Sequence, residues 1–423
     1  MKILKRKKKV VYKLIMILSW VILANVSNSI ASVTVYNLGG SISTYTTIQA
    51  GINTCQSGAT VTVSPGNYNE IIYINKAINL VGIGTPTIDA SSFINTNTIT
   101  FEGTATKNAV ISGFIITGAS YKDINWVYGN GISCINGAQP TITDNIIARN
   151  SSGGVICVNS FPIITNNKII QNSYYGIRCW ESSATITNNI IARSVNGLFF
   201  ANNSSSILTK NIIIGNFGGV YCSNSPSTIT SNVIVRNRFD GICCNRSPSI
   251  IANNVIVENA RAGIRCESSL SVITNNTIEG NGHGIYCQDS SPTITNNIIT
   301  QNGTTSPDCY GIYNDPDYPG TLTIDYNCMW GNGKSGNNNY YKCSLGVNDI
   351  QKDPQFIEVD DHHLKSTSPC IDAGTDTTVP FWLNAELDGN PRIVRRVDIG
   401  AYEYQSPPPP AQRRKEDHLG VRP

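Results

Sequence analysis

The residues best suited to chemistry fall in one row along this 423-residue chain. Arg178, Phe199, Tyr221, Cys243, Arg265, Tyr286 and Tyr313 recur about 22 residues apart, each between two apolar neighbours. Tyr174, Tyr175 and Trp180 lie at the start of the row, and Glu267 lies two residues after Arg265. Flat aromatic rings can stack on the apolar faces of sugar rings, while Arg and Glu side chains bond hydroxyls or carboxylates. Tyr175, Arg178, Trp180, Tyr221, Glu267 and Tyr286 are therefore the candidate carbohydrate-binding set. Aromatics also favour strands whatever their function, so the row alone leaves a structural reading open.

A second group of chemically capable residues lies near the C-terminus. Asp353, Asp372, Asp388 and Asp398 are acidic enough to gather around a calcium ion, and Asp372, Asp388 and Asp398 are the candidate ligands. Turn capping is the alternative for such residues, as in Asp388-Gly389. Calcium is the one candidate cofactor. With His283, His362, His363 and His418 as the only histidines, a copper site has few ligands to draw on.

The elements that must hold the row are set by a repeat. A Gly followed by an aliphatic residue restarts at Gly131, Gly154, Gly176, Gly197, Gly219, Gly241, Gly263, Gly284 and Gly311. The spacing is 21 to 23 residues until the last step of 27. In the unit from Gly176, Ile177 and Cys179 alternate with Arg178, Thr185-Ile186-Thr187 alternates again, and Ile190-Ile191 follows a corner at Asn188-Asn189. Three short strands per period and no helical pattern predict an all-β, right-handed parallel β-helix of ~22-residue coils. Three aliphatic ladders, represented by Ile177, Ile186 and Ile191, should form its core, each buried Ile contributing ~1.5–3 kcal/mol.

Two Asn columns accompany them. One runs from Asn145 through Asn167 and Asn189 to Asn327, and the other from Asn150 to Asn332 with Ser194 as its single exception. They read as structural, because Asn tolerates left-handed corners and stacked amides bond along the axis. Cys134, Cys157, Cys179, Cys222, Cys244, Cys266 and Cys287 hold one inward position and read as small buried hydrophobes. Cys309, Cys328 and Cys343 are close enough in sequence to staple the end of the rod. The pairing among these and Cys370 stays open.

The ends differ from the middle. Residues 1–31 combine a basic start, the apolar run Leu14 to Val26 and small residues at Ser29-Ile30-Ala31, which predicts a secretory signal peptide. The net charge of +3 owes much to that segment, and nothing in it favours nucleic-acid binding. The run Thr46 to Cys55 predicts a short helix closing the N-terminal end, with Ile48 and Ile52 inward and Thr46 or Thr47 as cap. The β-helix is expected over 32–348. A capping module over 349–405 is expected to cover the C-terminal end, followed by a Pro-rich disordered tail over 406–423.

The opening TIQAGINTC…GATVTVSPGNYNEIIYINKAINLVGIG and the units GIxC…PTITNNII resemble secreted right-handed parallel β-helix repeat proteins of the pectin-lyase-like fold. They also resemble the repeats grouped with carbohydrate-binding proteins, sugar hydrolases and the copper-maturation protein NosD. The ending, DPQF…HHLKSTSPCIDAGT…ELDGNPRIVRRVDIGAYEY, is similar to a module common behind β-helices in bacterial surface proteins. The resemblance implies an extracellular or cell-surface monomer (or a periplasmic one) with a polysaccharide or surface glycan as partner.

Polygalacturonase-type relatives imply catalytic groups on neighbouring coils. Asp240-Gly241-Ile242 stands at the first of their motifs and Gly282-His283-Gly284 at the last. Ala262-Gly263 replaces the Asp pair between them. Pectate-lyase chemistry would add an Arg as base, for which Arg178, Arg261 and Arg265 are available. Asp240, Arg265 and His283 are thus the catalytic candidates. Glycoside hydrolysis needs two carboxylates flanking the bond, which makes non-catalytic recognition of carbohydrate the leading expectation. A polysaccharide lyase, hydrolase or epimerase is the alternative.

Overall fold

The computed structural model describes residues 32–121, 128–303 and 308–405. The expected signal peptide and Pro-rich tail lie outside the described residues. The chain winds as a parallel β-solenoid with three sheets of 14, 12 and 12 strands, each coil adding one strand to each sheet. One coil shows the pattern: Tyr175–Trp180 in the third sheet, Thr185–Thr187 in the first and Ile190–Ala192 in the second. Strands pair in parallel with the same positions of the next coil, so Ile177 faces Leu198 and Ile186 faces Leu208.

The three predicted ladders form one continuous core, including Ile177, Ile186 and Ile191, all fully buried. The Cys column lies in the same core, with Phe200 following Cys179 and Asn314 following Cys287. All 13 cysteines are free thiols, so the expected staple among Cys309, Cys328 and Cys343 does not form. Cys328 lies instead with Cys370 in a separate apolar cluster.

The repeated Gly is explained by close approach. A Cβ at Gly176 would sit 2.5 Å from the Gly197 carbonyl oxygen of the next coil, closer than real side chains allow. The corners also have a clear division of labour. Left-handed backbone falls on the residue before each ladder Asn, as at Asn166 (φ 56°), Asn188 (φ 56°) and Lys210 (φ 57°). The ladder Asn itself is buried and bonds along the axis. Asn167 donates from its N–H and its Nδ2 to Asn189 Oδ1, at 2.9 and 3.1 Å. The ladder Asn thus makes the axial hydrogen bonds expected of it, while the left-handed corner expected there falls on its predecessor.

At the N-terminal end, the helix Ile48–Thr54 closes the core with Ile48 and Ile52 buried. Thr47 Oγ1 accepts from Ala50 N at 3.4 Å, and the Glu70 carboxylate accepts from Ile48 N and Gln49 N at 2.9 and 3.0 Å. At the other end, Asp349 Oδ1 takes the last place in the Asn ladder by accepting Asn327 N at 2.6 Å.

Within the module expected over 349–405, Asp349 and Ile350 bond to Asn327 and Met329 of the last coil, and the segment after Ile350 takes another course. It runs along the side of the rod, over the outer face of the second sheet. Leu387, Ala401 and Tyr402 belong to one apolar cluster with outward residues of that sheet, Val235, Val255 and Val257 among them. Arg392 Nη1 donates to Asn253 Oδ1 at 3.0 Å, Asn275 Nδ2 to Asp398 O at 3.3 Å, and Gly400 N to Asn296 O at 2.8 Å. The physical reason is that the outward positions of this sheet are apolar in coil after coil. A face of that kind must be covered. No helix among the described residues is long and apolar enough to cross a membrane.

Candidate functional site

The outer face of the third sheet carries three side-chain columns. In the middle one, Arg178 registers with Phe199, Phe199 with Tyr221, Tyr221 with Cys243, Cys243 with Arg265, Arg265 with Tyr286 and Tyr286 with Tyr313. The column beyond it runs Trp180, Ala201, Ser223, Asn245, Glu267 and Gln288. The column before it, just ahead of each repeat Gly, includes Tyr175, Asn196, Gly218, Asp240, Ala262 and His283. The predicted residues share one face, but the structure divides them into three groups.

The first group is self-contained. The Arg178 guanidinium lies 5.4 Å from the Tyr175 ring centroid, 5.1 Å from Trp180 and 5.9 Å from Phe199. The chain's own cation thus occupies ring faces that a sugar would use. Arg178 Nε is buried without a hydrogen-bond partner.

The second group encloses a cavity of about 500 Å³, within the size range of small-ligand sites. Phe199 and Tyr221 stack along one wall at 5.4 Å, 6° from parallel. Phe217 and Phe239 stack along another at 5.4 Å, with Arg261 4.5 Å over Phe239. Asp240, Cys243, Arg265 and Glu267 supply the polar wall. Arg265 Nε donates to Glu267 Oε1, and Arg265 Nη2 donates to Gln288 Oε1 at 3.2 Å. Asn245 Nδ2 donates to Glu267 Oε2 at 2.6 Å.

Asp240 is only 3% exposed, and its Oδ1 accepts the Ala262 N–H at 2.9 Å. Burial raises its pKa above the usual carboxylate range, opposed by the Ala262 bond and by Arg261 and Arg265. Burial also raises the Cys243 thiol, with Glu267 and Asp240 adding to it.

The third group is aromatic. Tyr286, Tyr313 and Tyr341 stack at 5.1 and 4.7 Å, and His283 lies 5.0 Å from Tyr313 and 5.6 Å from Tyr286. Tyr286 Oη donates to Asp315. His283 Nδ1 accepts the Tyr310 N–H at 3.2 Å, which leaves the ring proton on Nε2. Burial, then the guanidinium groups of Arg261 and Arg265, pushes His283 down to about 4, so the ring is neutral at ordinary pH.

Two of the catalytic candidates, Asp240 and Arg265, therefore meet in one cavity, while His283 joins the tyrosine stack. Glu267 brings a second carboxylate to the Asp240 cavity from the next coil. Phe217 and Phe239 were not among the predicted residues, and Arg261 was named only as an available base. They sit two residues ahead of the repeat Gly, and only alignment of the units on that Gly would have marked them.

The calcium candidates are engaged separately. Asp398 accepts Asp372 N at 2.7 Å and Tyr404 N at 2.6 Å, Asp372 Oδ2 lies 3.8 Å from Arg395 Nη1, and Asp388 Oδ2 meets His363 Nε2 at 3.0 Å. Among the described residues no three His, Cys, Asp or Glu side chains gather in a way that could hold a metal ion.

The family model for the right handed beta helix region matches residues 130–271 and 228–351, together more than half of the chain. The chain belongs to this family. It is also similar to a cell surface glycoprotein of Methanothermus fervidus, 35% identical over 138 residues. That match covers 32% of this chain and 21% of the relative, so only about a fifth of the relative is spanned. Among solved structures, the A-module of the Azotobacter vinelandii mannuronan C-5 epimerase AlgE6 superposes with a TM-score of 0.51 at 17% identity, covering 73% of this chain and 95% of that one. The A-module of AlgE4 from the same organism gives 0.51 at 15% identity, covering 72% and 92%. These likenesses establish the pectin-lyase-like fold.

Proposed function

We propose that this β-helix protein recognises carbohydrate without altering it, at the cell surface or outside the cell, through the cavity between Tyr221 and Arg265. The observation that carries the reading is the pairing of two stacked aromatic walls with a fixed polar wall. Phe199, stacked on Tyr221 and covered by Arg178, holds Tyr221 in place, and Tyr221 offers apolar ring surface to a sugar. Arg265 and Glu267, held by each other and by Gln288 and Asn245, offer donors and acceptors to hydroxyls. The kinship with a cell surface glycoprotein supports the location.

A second reading is favoured by one observation. Asp240, with its raised pKa, and Glu267 line the same cavity beside Arg265, a grouping from which an acid and a base could be drawn. The epimerases sharing the fold are consistent with a polysaccharide-active enzyme. Against it stands the engagement of both carboxylates, Asp240 on the Ala262 N–H and Glu267 on Arg265 and Asn245.

The test is retention on affinity gels carrying a panel of plant, algal and bacterial polysaccharides. Retention of the parent chain on at least one gel, lost on Tyr221→Ala and on Arg265→Ala, is the expected result. Retention that survives both substitutions would overturn this placement of the site.

A further inference from the structure

A second cavity, of about 880 Å³, shares Phe217 with the first. Two local departures from the repeat line it. Gly215 stands in a column of left-handed residues in which Gln171, Arg193, Arg236 and Glu258 carry side chains, and open space lies where its Cβ would be. Ser194 stands in the buried Asn column between Asn172 and Asn216. Its N–H keeps the ladder by donating to Asn216 Oδ1 at 3.0 Å. Its side chain does not continue the ladder: Ser194 Oγ lies buried with no hydrogen-bond partner, in a residue only 7% exposed that lines the cavity. A buried hydroxyl without a partner costs roughly 1–3 kcal/mol unless something supplies one.

The charge around this hydroxyl has one sign. Arg193, Arg236 and Arg238 line the cavity and no carboxylate does. Arg236 is already bonded to Glu258, outside the lining. Arg193 and Arg238 are exposed and, among the described residues, make no ion pair.

We propose that this cavity binds a tetrahedral oxyanion group, a sulfate or phosphate ester, on a polymer or a small molecule. Each guanidinium presents a planar fork of N–H donors that matches two oxygens of such a group. Two unpaired forks and a hydroxyl together offer more donors than the two oxygens of a carboxylate can use, whereas a tetrahedral group has oxygens for all of them. A neutral sugar would leave the arginine charges unanswered. The inference does not depend on the proposed reading of the Tyr221–Arg265 cavity, although Phe217 borders both.

The test titrates the full chain with sodium sulfate, sodium phosphate and sodium acetate at constant ionic strength, followed by calorimetry. Dextran sulfate, dextran and poly(glycerol phosphate) follow, to separate a sulfated glycan from a phosphate polymer as the source. The expected result is saturable binding of sulfate or phosphate, tighter than acetate, and weakened at least tenfold in Arg193→Asn/Arg238→Ala. Asn is chosen at position 193 because it tolerates the φ of 60° there. Ser194→Asn, which restores the missing amide, should weaken binding while raising the melting temperature. Retention of the double variant on any neutral polysaccharide gel that holds the parent should persist, which reports an intact fold. Sulfate and phosphate binding no tighter than acetate, or unchanged in the double variant, would overturn the proposal.

Discussion

The Asp240 carboxylate accepts the Ala262 N–H at 2.9 Å, across one turn of the solenoid, and lines the Tyr221–Arg265 cavity. Asp240 is therefore a backbone partner as well as a candidate acid. Asp240→Asn keeps an acceptor for this bond and should preserve the fold, whereas Asp240→Ala orphans the N–H at roughly 1–3 kcal/mol. Burial raises the folded pKa of Asp240 above its unfolded value. Its favourable contribution is then present below the unfolded pKa and is lost as pH rises through the folded one. Denaturant unfolding should show Asp240→Asn gaining stability relative to the parent between pH 3 and pH 7. A difference that stays flat, or runs the other way, would contradict this account of the carboxylate.

The Asn ladders predict a different kind of sensitivity. Asn254 Oδ1 accepts Asn232 N and Nδ2 at 2.9 and 3.0 Å, while Asn254 Nδ2 donates to Ile229 O, Ala252 O and Asn276 Oδ1. Asn254→Ala orphans several buried groups at once, so the expected loss exceeds about 3 kcal/mol by urea unfolding. Asn254→Asp keeps the acceptor oxygens but buries a charge, and should also destabilise. A loss below about 1 kcal/mol for the alanine variant would show that the ladder is dispensable.

His363 ties the lateral segment together and should make it pH-sensitive. Its Nδ1 lies 2.6 Å from Asp361 Oδ1, its Nε2 3.0 Å from Asp388 Oδ2, and its ring 4.1 Å from Tyr402. Burial opposes the charged ring, but the hydrogen bonds to Asp388 and Asp361 outweigh it and raise the pKa. The stabilisation is complete below about pH 6.5, the ordinary His value, and is lost as pH rises through the raised value. Amide exchange in residues 361–404 should accelerate between pH 6 and pH 8 more than chemistry alone requires. The excess should vanish in His363→Gln.

The thiol column should be silent to reagents. Cys157 and Cys179 are fully buried, and their neighbours' thiols and burial hold both pKa values well above the free thiol. A thiol-disulfide indicator should therefore count few reactive groups in the native chain and all 13 after denaturation. Rapid native labelling of the column would mean that the coils open readily.

Much of the fold was legible because each coil repeats the same physical demands. A Gly marks each close approach of backbones, three aliphatic positions mark the interior, and an Asn marks each buried amide. The outward columns followed from the period-2 alternation within Tyr175–Trp180 and its counterparts. That alternation breaks just before the repeat Gly, so Phe217 and Phe239 stand outside it and only the 22-residue repeat itself marks their position. The placement of the last segment was hidden for another reason. Val235, Val255 and Val257 read as ordinary strand residues, and only the winding shows that they face outward into the apolar cluster that Leu387 and Tyr402 share. The left-handed corner was misplaced by one residue, because neighbouring Asn pairs such as Asn188-Asn189 offer two equivalent choices in sequence and one in space.

The central claim is recognition without chemistry at the Tyr221–Arg265 cavity. The most direct measurement incubates the chain with a polysaccharide that retains it, with and without calcium. Polymer length, reducing ends, unsaturated products and epimer composition are followed over a long period. The account predicts a saturable complex with the polymer unchanged in all four respects. Any product whose formation stops in Asp240→Asn while binding persists would contradict it, and would make the cavity the active site of an enzyme.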